Sequence, residues 1–445
     1  MPRKPVSETI PSLEFSPSER RDVIEMVAGV MADALKIERR YLSHHGEPSK
    51  SEWKEVRGTG GGLRFFKERR HSESQGRPSI STSDSETEKV YLEELEWTTA
   101  TSISDSISSD SFSGSFASDS TPMRFVDQIR SDIESSNTSS SNSSEPAGCT
   151  LDSAVYSRIP MIVGVGHVEG TLEDVALGLY AGDEASWKER GAYIKDGHNY
   201  SRILSTILGP TPDDPFRFLG VKWFAREASN PLFGTLIQDR DFLVVEGTGL
   251  TRDEHGEPHG YYVMHSFGHP LVPEFAERKI LRCELSLCFI SRQVGPNKVH
   301  MFTRGFIDPK GFLTPSMAIT VSAKRISTCM KTIETAYLRK LVWLMKQRRR
   351  SRMQVASQHD GDTSVRVCEV CTKTFRFLSG NLSLCQVCFK CVCSKCTVKR
   401  KVVVGATATC ATKHLLPFCS ACVQEAKVLP PHQVALDKNI RHTTL

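Results

Sequence analysis

The sequence of 445 residues contains no apolar run approaching the 18 residues that a membrane-crossing helix requires. Its continuous apolar stretches, Ile159 to Val165 and Phe242 to Val245, are the size of core strands. Met1 to Ile10 carries basic side chains but no apolar h-region, so export through a secretory signal is not expected. The sequence also lacks a P-loop, a nucleophile beside a base and a paired-carboxylate arrangement, and therefore offers no catalytic machinery. Without export, the cysteines are expected to be reduced thiols available to metal.

Fourteen cysteines are present, and eight of the ten between Cys368 and Cys422 form C-x-x-C pairs. These pairs are Cys368/Cys371, Cys385/Cys388, Cys393/Cys396 and Cys419/Cys422. Two residues between thiols let both sulfurs of a tight turn face one tetrahedral Zn2+, so each pair supplies half a site. Four half-sites make two closed four-thiolate centres, with no open position for a catalytic water. The expectation is a structural module binding two Zn2+. Cys391 and Cys410 are left over; Cys391 could compete for a ligand position, and Cys410 with His414 is a weaker rival for the last half-site.

The net charge of +5 is unevenly spread. Residues 71–150 hold four basic and fourteen acidic residues, whereas 366–427 hold ten basic and two acidic. A second basic run, Lys346-Gln347-Arg348-Arg349-Arg350-Ser351-Arg352, exceeds what a helix C-terminus needs to offset its dipole. It leaves a membrane-facing linker and a nuclear localisation signal both open. No base-reading helix accompanies the charge, so nucleic acid is not an expected partner.

Ser16-Pro17-Ser18-Glu19 reads as a capped helix start, and Val23, Val27, Val30, Ala34, Ile37 and Tyr41 form one apolar stripe ending near Ser43. Trp53 to Val56 and Leu63 to Phe66 form a strand pair. Residues 71–150, rich in serine and acid, cannot bury enough apolar surface to offset chain entropy and are expected to be disordered. Ile159 to Val165 should be a strand leading through Gly164-Val-Gly166 into a helix at Thr171. Strands follow near Val221–Ala225, Phe242–Glu246, Tyr261–His265, Ile280–Ser291 and Lys298–Ile307, the fourth half-buried by its alternation. One long helix from about Ser316 to about Arg350, after Pro315, completes an α+β domain whose sheet curls around it. Periodicity leaves open whether that helix closes a ligand cavity or fills a dry core.

The four pairs, with four residues between the second and third, resemble the FYVE zinc finger family. The resemblance implies a cross-brace: Cys368, Cys371, Cys393 and Cys396 on one zinc, and Cys385, Cys388, Cys419 and Cys422 on the other. It also implies membrane contact through Phe377 and Leu378 in the position of the family's insertion loop, with Lys399, Arg400 and Lys401 adding charge. The basic residues and histidines that read phosphatidylinositol 3-phosphate are replaced by Asn381-Leu382-Ser383-Leu384 before Cys385, so specific binding of that lipid is not expected. A RING-type ubiquitin ligase is the alternative, although it calls for a histidine ligand.

Residues 11–70 and 154–346 resemble a START-type lipid-transfer domain. The resemblance is carried by the first helix, Trp53, Arg240-Asp241-Phe242, Gly260-Tyr261-Tyr262, Phe306-Ile-Asp308-Pro309-Lys-Gly311 and the last helix. It implies a helix-grip fold with a hydrophobic lipid ligand, interrupted by the insertion 71–150. A linker at 347–365 then leads to the finger at 366–427. Taken together, these readings imply a non-enzymatic lipid-binding or lipid-sensing adaptor whose finger docks an anionic membrane or a protein. A cytoplasmic location with peripheral attachment to endomembranes would suit it, a nuclear one remaining open. They do not point to individual pocket residues.

Overall fold

The computed structural model describes residues 6–56, 62–69, 159–196, 198, 200–226, 238–311, 314–355, 366–375 and 382–443. The serine-rich stretch 71–150 lies outside them, as does most of the region expected to link helix and finger. The chain forms two compact units that interleave along the sequence. One comprises residues 1–172 and 195–330, the other 173–194 and 331–445.

The first unit is built on an antiparallel sheet, as expected for an α+β domain. Its strands are β1 (Trp53–Val56), β2 (Leu63–Glu68), β3 (Ile162–Glu169), β4 (Tyr200–Leu208), β5 (Phe218–Arg226), β6 (Arg240–Arg252), β7 (Pro258–Ser266), β8 (Leu281–Arg282), β9 (Glu284–Gly295) and β10 (Lys298–Asp308). The order is β1-β2-β3-β10-β9-β7-β6-β5-β4, with the short β8 pairing parallel with β6. After a single turn, α1 (Val6–Thr9), comes α2 (Pro17–Ser43). Its start is fixed by a reciprocal cap, in which Ser16 takes the Glu19 N–H and Glu19 takes the Ser16 N–H. Val23, Val27 and Val30 then pack on Val165, Val221, Trp223, Val263 and Ile290 of one sheet face. Strand β4 gave no clear sequence signal and was not expected.

Three expectations require correction here. Gly164 and Gly166 do not form a strand-to-helix turn but sit inside β3. A Cβ on Gly164 would lie 2.7 Å from Phe65 and 2.8 Å from Thr303, and one on Gly166 would lie 2.7 Å from the Gly62 carbonyl. The glycines permit close strand packing, and the chain turns at Gly170 instead. Strand β9 is not half-buried, because residues 285–291 are buried on both faces between α2 and the opposite layer. Nor is the final helix continuous. It divides into α5 (Pro315–Ser327), a 3-10 turn at Thr328–Lys331 and α6 (Thr332–Val355). Ser327 and Thr328 hydroxyls donate back to the Ala323 and Arg325 carbonyls at the break, competing with the helical ladder.

Helix α5 packs along β10, β3 and β2 on the sheet face opposite α2. Ser322 on this helix accepts the Ile307 N–H.

The second unit contains α3 (Leu172–Leu179), α4 (Glu184–Ile194), α6 and the cysteine-rich segment. The latter has three small ribbons: β11 (Arg366–Val367) with β12 (Thr374–Phe375), β13 (Ser383–Leu384) with β14 (Cys391–Val392), and β15 (Thr397–Ala406) with β16 (Ala411–Cys419). Helices α7 (Ser420–Val428) and α8 (Pro431–Thr443) follow. Leu341, Val342 and Met345 of α6 share one buried cluster with Cys368, Cys385, Cys393, Cys419 and Phe418. Helix α6 is therefore the core element of this unit. Residues 347–355, expected to be linker, are its last turns.

Polar bonds join the same pieces. The Arg339 side chain, 1% exposed, donates to the carbonyls of Leu177, Tyr180 and Ser186. Lys340 donates to Asp174 at 2.8 Å and to the Lys427 carbonyl at the end of α7. Trp343 and Gln347 both donate to Asp437 on α8. At the pair joining α3 to α6, a Cβ on Gly178 would collide with the Thr332 carbonyl, so only glycine permits this backbone approach.

Candidate metal centres and a buried ion pair

The C-x-x-C turns bring the cysteines together in two groups of four. Cys368 and Cys371 meet Cys393 and Cys396, while Cys385 and Cys388 meet Cys419 and Cys422. Within each group, every sulfur lies within 4.8 Å of the others. The Sγ atoms of Cys371 and Cys393 are 3.8 Å apart, as are those of Cys388 and Cys419. Tetrahedral Zn–S bonds of about 2.3 Å place sulfurs about 3.8 Å apart, so both donor sets fit Zn2+. Neither set contains a histidine, which disfavours the RING-type alternative.

Backbone donors also prepare one sulfur of each group for negative charge. Cys393 N–H donates to Cys368 Sγ at 3.3 Å, and Cys419 N–H to Cys385 Sγ at 3.2 Å. Burial opposes ionisation of Cys368, but the N–H groups of Cys371, Cys393 and Val370 outweigh it and bring the thiol down to about 6. The same balance lowers Cys385, through Cys388, Cys419 and Val387. Cys419 additionally caps α7 by accepting the Cys422 N–H, placing the last half-site at a helix N-terminus. Cys391 and Cys410 are exposed and outside both groups.

The anticipated membrane contacts are separated. Phe377 and Leu378 lie outside the described residues. Lys399 and Lys401 are exposed on β15, while Arg400 between them points to the other side of the ribbon. The arginine run at the end of α6 is partly committed within its own unit. Arg348 pairs with Glu425 at 2.9 Å, Arg349 donates to the Gln386 side chain, and Arg352 lies over the Phe389 ring.

In the sheet unit, the residues that carried the resemblance have structural partners. Asp241, fully buried, accepts Trp223 Nε1 at 2.8 Å and two bonds from Arg282. Arg240 donates to the Pro309 carbonyl, tying β6 to the turn after β10. The two tyrosines of Gly260-Tyr261-Tyr262 point to opposite faces: Tyr261 joins the α2-side core, whereas Tyr262 donates to Glu246.

That second face holds an ion pair that sequence reasoning missed. Lys222 Nζ on β5 donates to Glu246 Oε1 on β6 at 2.7 Å, and both side chains are fully buried. The ammonium lies 4.4 Å from the Phe218 ring centroid. Pairing register places Tyr262, Phe289 and Thr303 on the same face. Thr303, 1% exposed, has a hydroxyl without a hydrogen-bond partner among the described residues. The available signal was a lone lysine inside the apolar run Val221–Ala225.

A separate polar cluster underlies α2. Glu38, fully buried, receives Arg292, which also donates to Asp253 at 2.9 Å. His300 lies 4.0 Å from Glu38 and beside His167 and Tyr41. Burial, with Arg292 adding to it, pushes His259 down to about 4; burial followed by His167 and Arg292 does the same to His300. Burial raises the Glu38 carboxyl against the pull of Arg292.

Among the described residues, no helix is long and apolar enough to cross a membrane. No family model matches the chain, and no curated protein matches it. Solved structures overlay on it only in part. The human StAR-related lipid transfer protein 5 does so at TM-score 0.32 and 14% identity, covering 69% of this chain and 97% of that one. The lipid transfer and protein localization domain of human StarD13 (DLC2) overlays at 0.30 and 10% identity, covering 49% and 98%. A STAR-related lipid transfer protein from Xanthomonas axonopodis overlays at 0.29 and 12%, covering 41% and 88%.

Proposed function

We propose that the protein is a non-catalytic lipid-binding adaptor. Its START-like part, residues 11–70 and 154–346, holds a hydrophobic ligand on the α5-side face of the sheet. Its FYVE-like finger, 366–427, is held by two Zn2+ and docks an anionic membrane. The observation that carries the lipid reading is the Lys222–Glu246 pair. Desolvating two charges costs more than a typical ion pair returns, so an apolar pair would serve a dry core at least as well. In a ligand-binding face, the same groups and the Thr303 hydroxyl orient the polar end of an otherwise apolar molecule.

Cys368, Cys371, Cys393 and Cys396 would hold one zinc, and Cys385, Cys388, Cys419 and Cys422 the other. When bound, zinc closes each cross-brace and contributes folding energy, on the order of 10 kcal/mol per site. The donors for specific phosphatidylinositol 3-phosphate recognition remain absent from the sequence around Cys385. The reading fits a cytoplasmic protein that attaches peripherally to endomembranes.

Native mass spectrometry of the full chain, before and after denaturation, tests both halves. Two zincs and a lipid released on denaturation are expected. A zinc count below two removes the metal assignment. A lipid-free mass after purification from lipid-rich extract, unchanged after incubation with mixed lipids, removes the ligand assignment.

A further inference from the structure

The β15–β16 ribbon presents an unusual combination on one side. Its register pairs Lys401 with Leu415 and Lys399 with Pro417, placing these four residues on the same face. The alternate pairs, Val398/Phe418, Arg400/Leu416 and Val402/His414, belong to the other face, where Val402 and Phe418 are fully buried in the finger core. Between buried Cys419 at one end and buried Val403 at the other, the stretch Lys399–Lys401 with Leu415 leaves the first face open. Further along it, Tyr193 accepts the Val403 N–H and lies beneath Lys413, so α4 covers the end nearer the hairpin tip. What remains open is Lys399, Lys401 and Leu415, the last 57% exposed. The Gln386 N–H, bonded to the Pro417 carbonyl, brings the turn that follows exposed Leu384 to the same end.

We propose that this open half of the ribbon is a docking surface for an anionic lipid bilayer, with Leu415 entering the interface beside Lys401 and diagonal to Lys399. The proposal rests on the membrane-docking half of the reading above and gives it a location. Charge complementarity supports a bilayer. The finger segment 366–427 has ten basic and two acidic residues, and both acids are engaged elsewhere. Glu369 accepts the Cys391 N–H, and Glu425 pairs with Arg348. Neither Lys399 nor Lys401 has an ion-pair partner among the described residues. The chemistry of the patch favours lipid over protein. Protein interfaces are depleted in lysine and enriched in arginine and aromatic anchors, and this face has the reverse composition. Mobile ammonium groups around a protruding aliphatic side chain suit headgroups above and acyl chains below.

The full-length, zinc-loaded protein can be sedimented with vesicles of phosphatidylcholine alone and with vesicles containing phosphatidylserine. Binding is expected only to the latter, weakening as salt rises. Each lysine near an anionic surface is worth about fivefold in affinity, so Lys399→Ala/Lys401→Ala should weaken binding about 30-fold. Leu415→Asp should weaken it further. Lys50→Ala/Lys54→Ala removes the same charge from exposed positions in the other unit and should leave binding unchanged. If zinc-loaded hairpin variants bind as the unaltered protein does, this surface assignment fails while membrane docking stands. If the unaltered protein ignores anionic vesicles, both membrane readings fall, and the lipid ligand remains testable by mass.

Discussion

Lys222 and Glu246 make opposite demands on any substitution. Lys222→Met alone strands a buried carboxylate and should cost about 3–5 kcal/mol, whereas Lys222→Met/Glu246→Leu should recover most of that loss. Urea titration of the sheet unit, followed through buried Trp223, measures the difference. If the pair orients a ligand, the apolar double variant should fold yet retain less bound lipid; equal retention would make the pair structural. The histidines beneath α2 add a pH dependence. An unfolded imidazole takes its proton near 6.5, while folded His259 and His300 resist until about 4. Unfolding therefore takes up protons between these values, so stability is complete above 6.5 and declines as pH falls toward 4. The loss is on the order of 3 kcal/mol per histidine. Glu38 works in the opposite sense, because its raised carboxyl accepts a proton more readily when folded. His300→Phe should flatten the decline measured by denaturation between pH 7 and pH 4 (about the two ends of that window); an unchanged slope would assign it to other groups.

At the scale of elements, the C-x-x-C turns were legible because both ligands of each half-site sit in one short stretch of chain. The first helix was equally plain, since its cap and stripe are local. Removing that cap with Ser16→Ala should cost about 1 kcal/mol, read as a lower melting temperature. Helix α4 leaves no clear pattern in the sequence because it buries Glu189 and Arg190 alongside Trp187, masking the apolar period. The last helix misleads for a different reason. Ile319, Ile326, Ile333, Leu341 and Leu344 keep a single rhythm, but the first two belong to one unit and the others to the second. Periodicity reports that a face is buried, not which neighbour buries it. The α3–α6 contact offers a direct test: Gly178→Ala should destabilise the second unit by about 1–3 kcal/mol, detectable as faster amide exchange in 173–194.

Over the whole molecule, the shared core of α6 and the cysteines predicts how zinc loss propagates. Chelation should raise amide exchange across 366–427, α6 and 173–194 together, while β5, β6 and β7 keep their protection. Exchange confined to the cysteine segment would show that the helices are stable without the metal. The sequence does not show that α6 belongs with this segment, because Arg339, Lys340 and Trp343 look like ordinary helix positions until their partners at Leu177, Asp174 and Asp437 are known.

The interleaving of the two units also bears on biosynthesis. Residues 173–194 leave the ribosome early, but Arg339, Lys340 and the cysteine turns that complete their surroundings arrive only after residues 195–330. The sheet can begin to form while these helices wait, their buried faces having no native partner until then. Closing so long a loop adds little equilibrium cost but slows assembly. A nascent chain stalled before Lys331 should accordingly expose the α3–α4 segment to chaperones or proteases, whereas addition of the final segment with zinc should withdraw it.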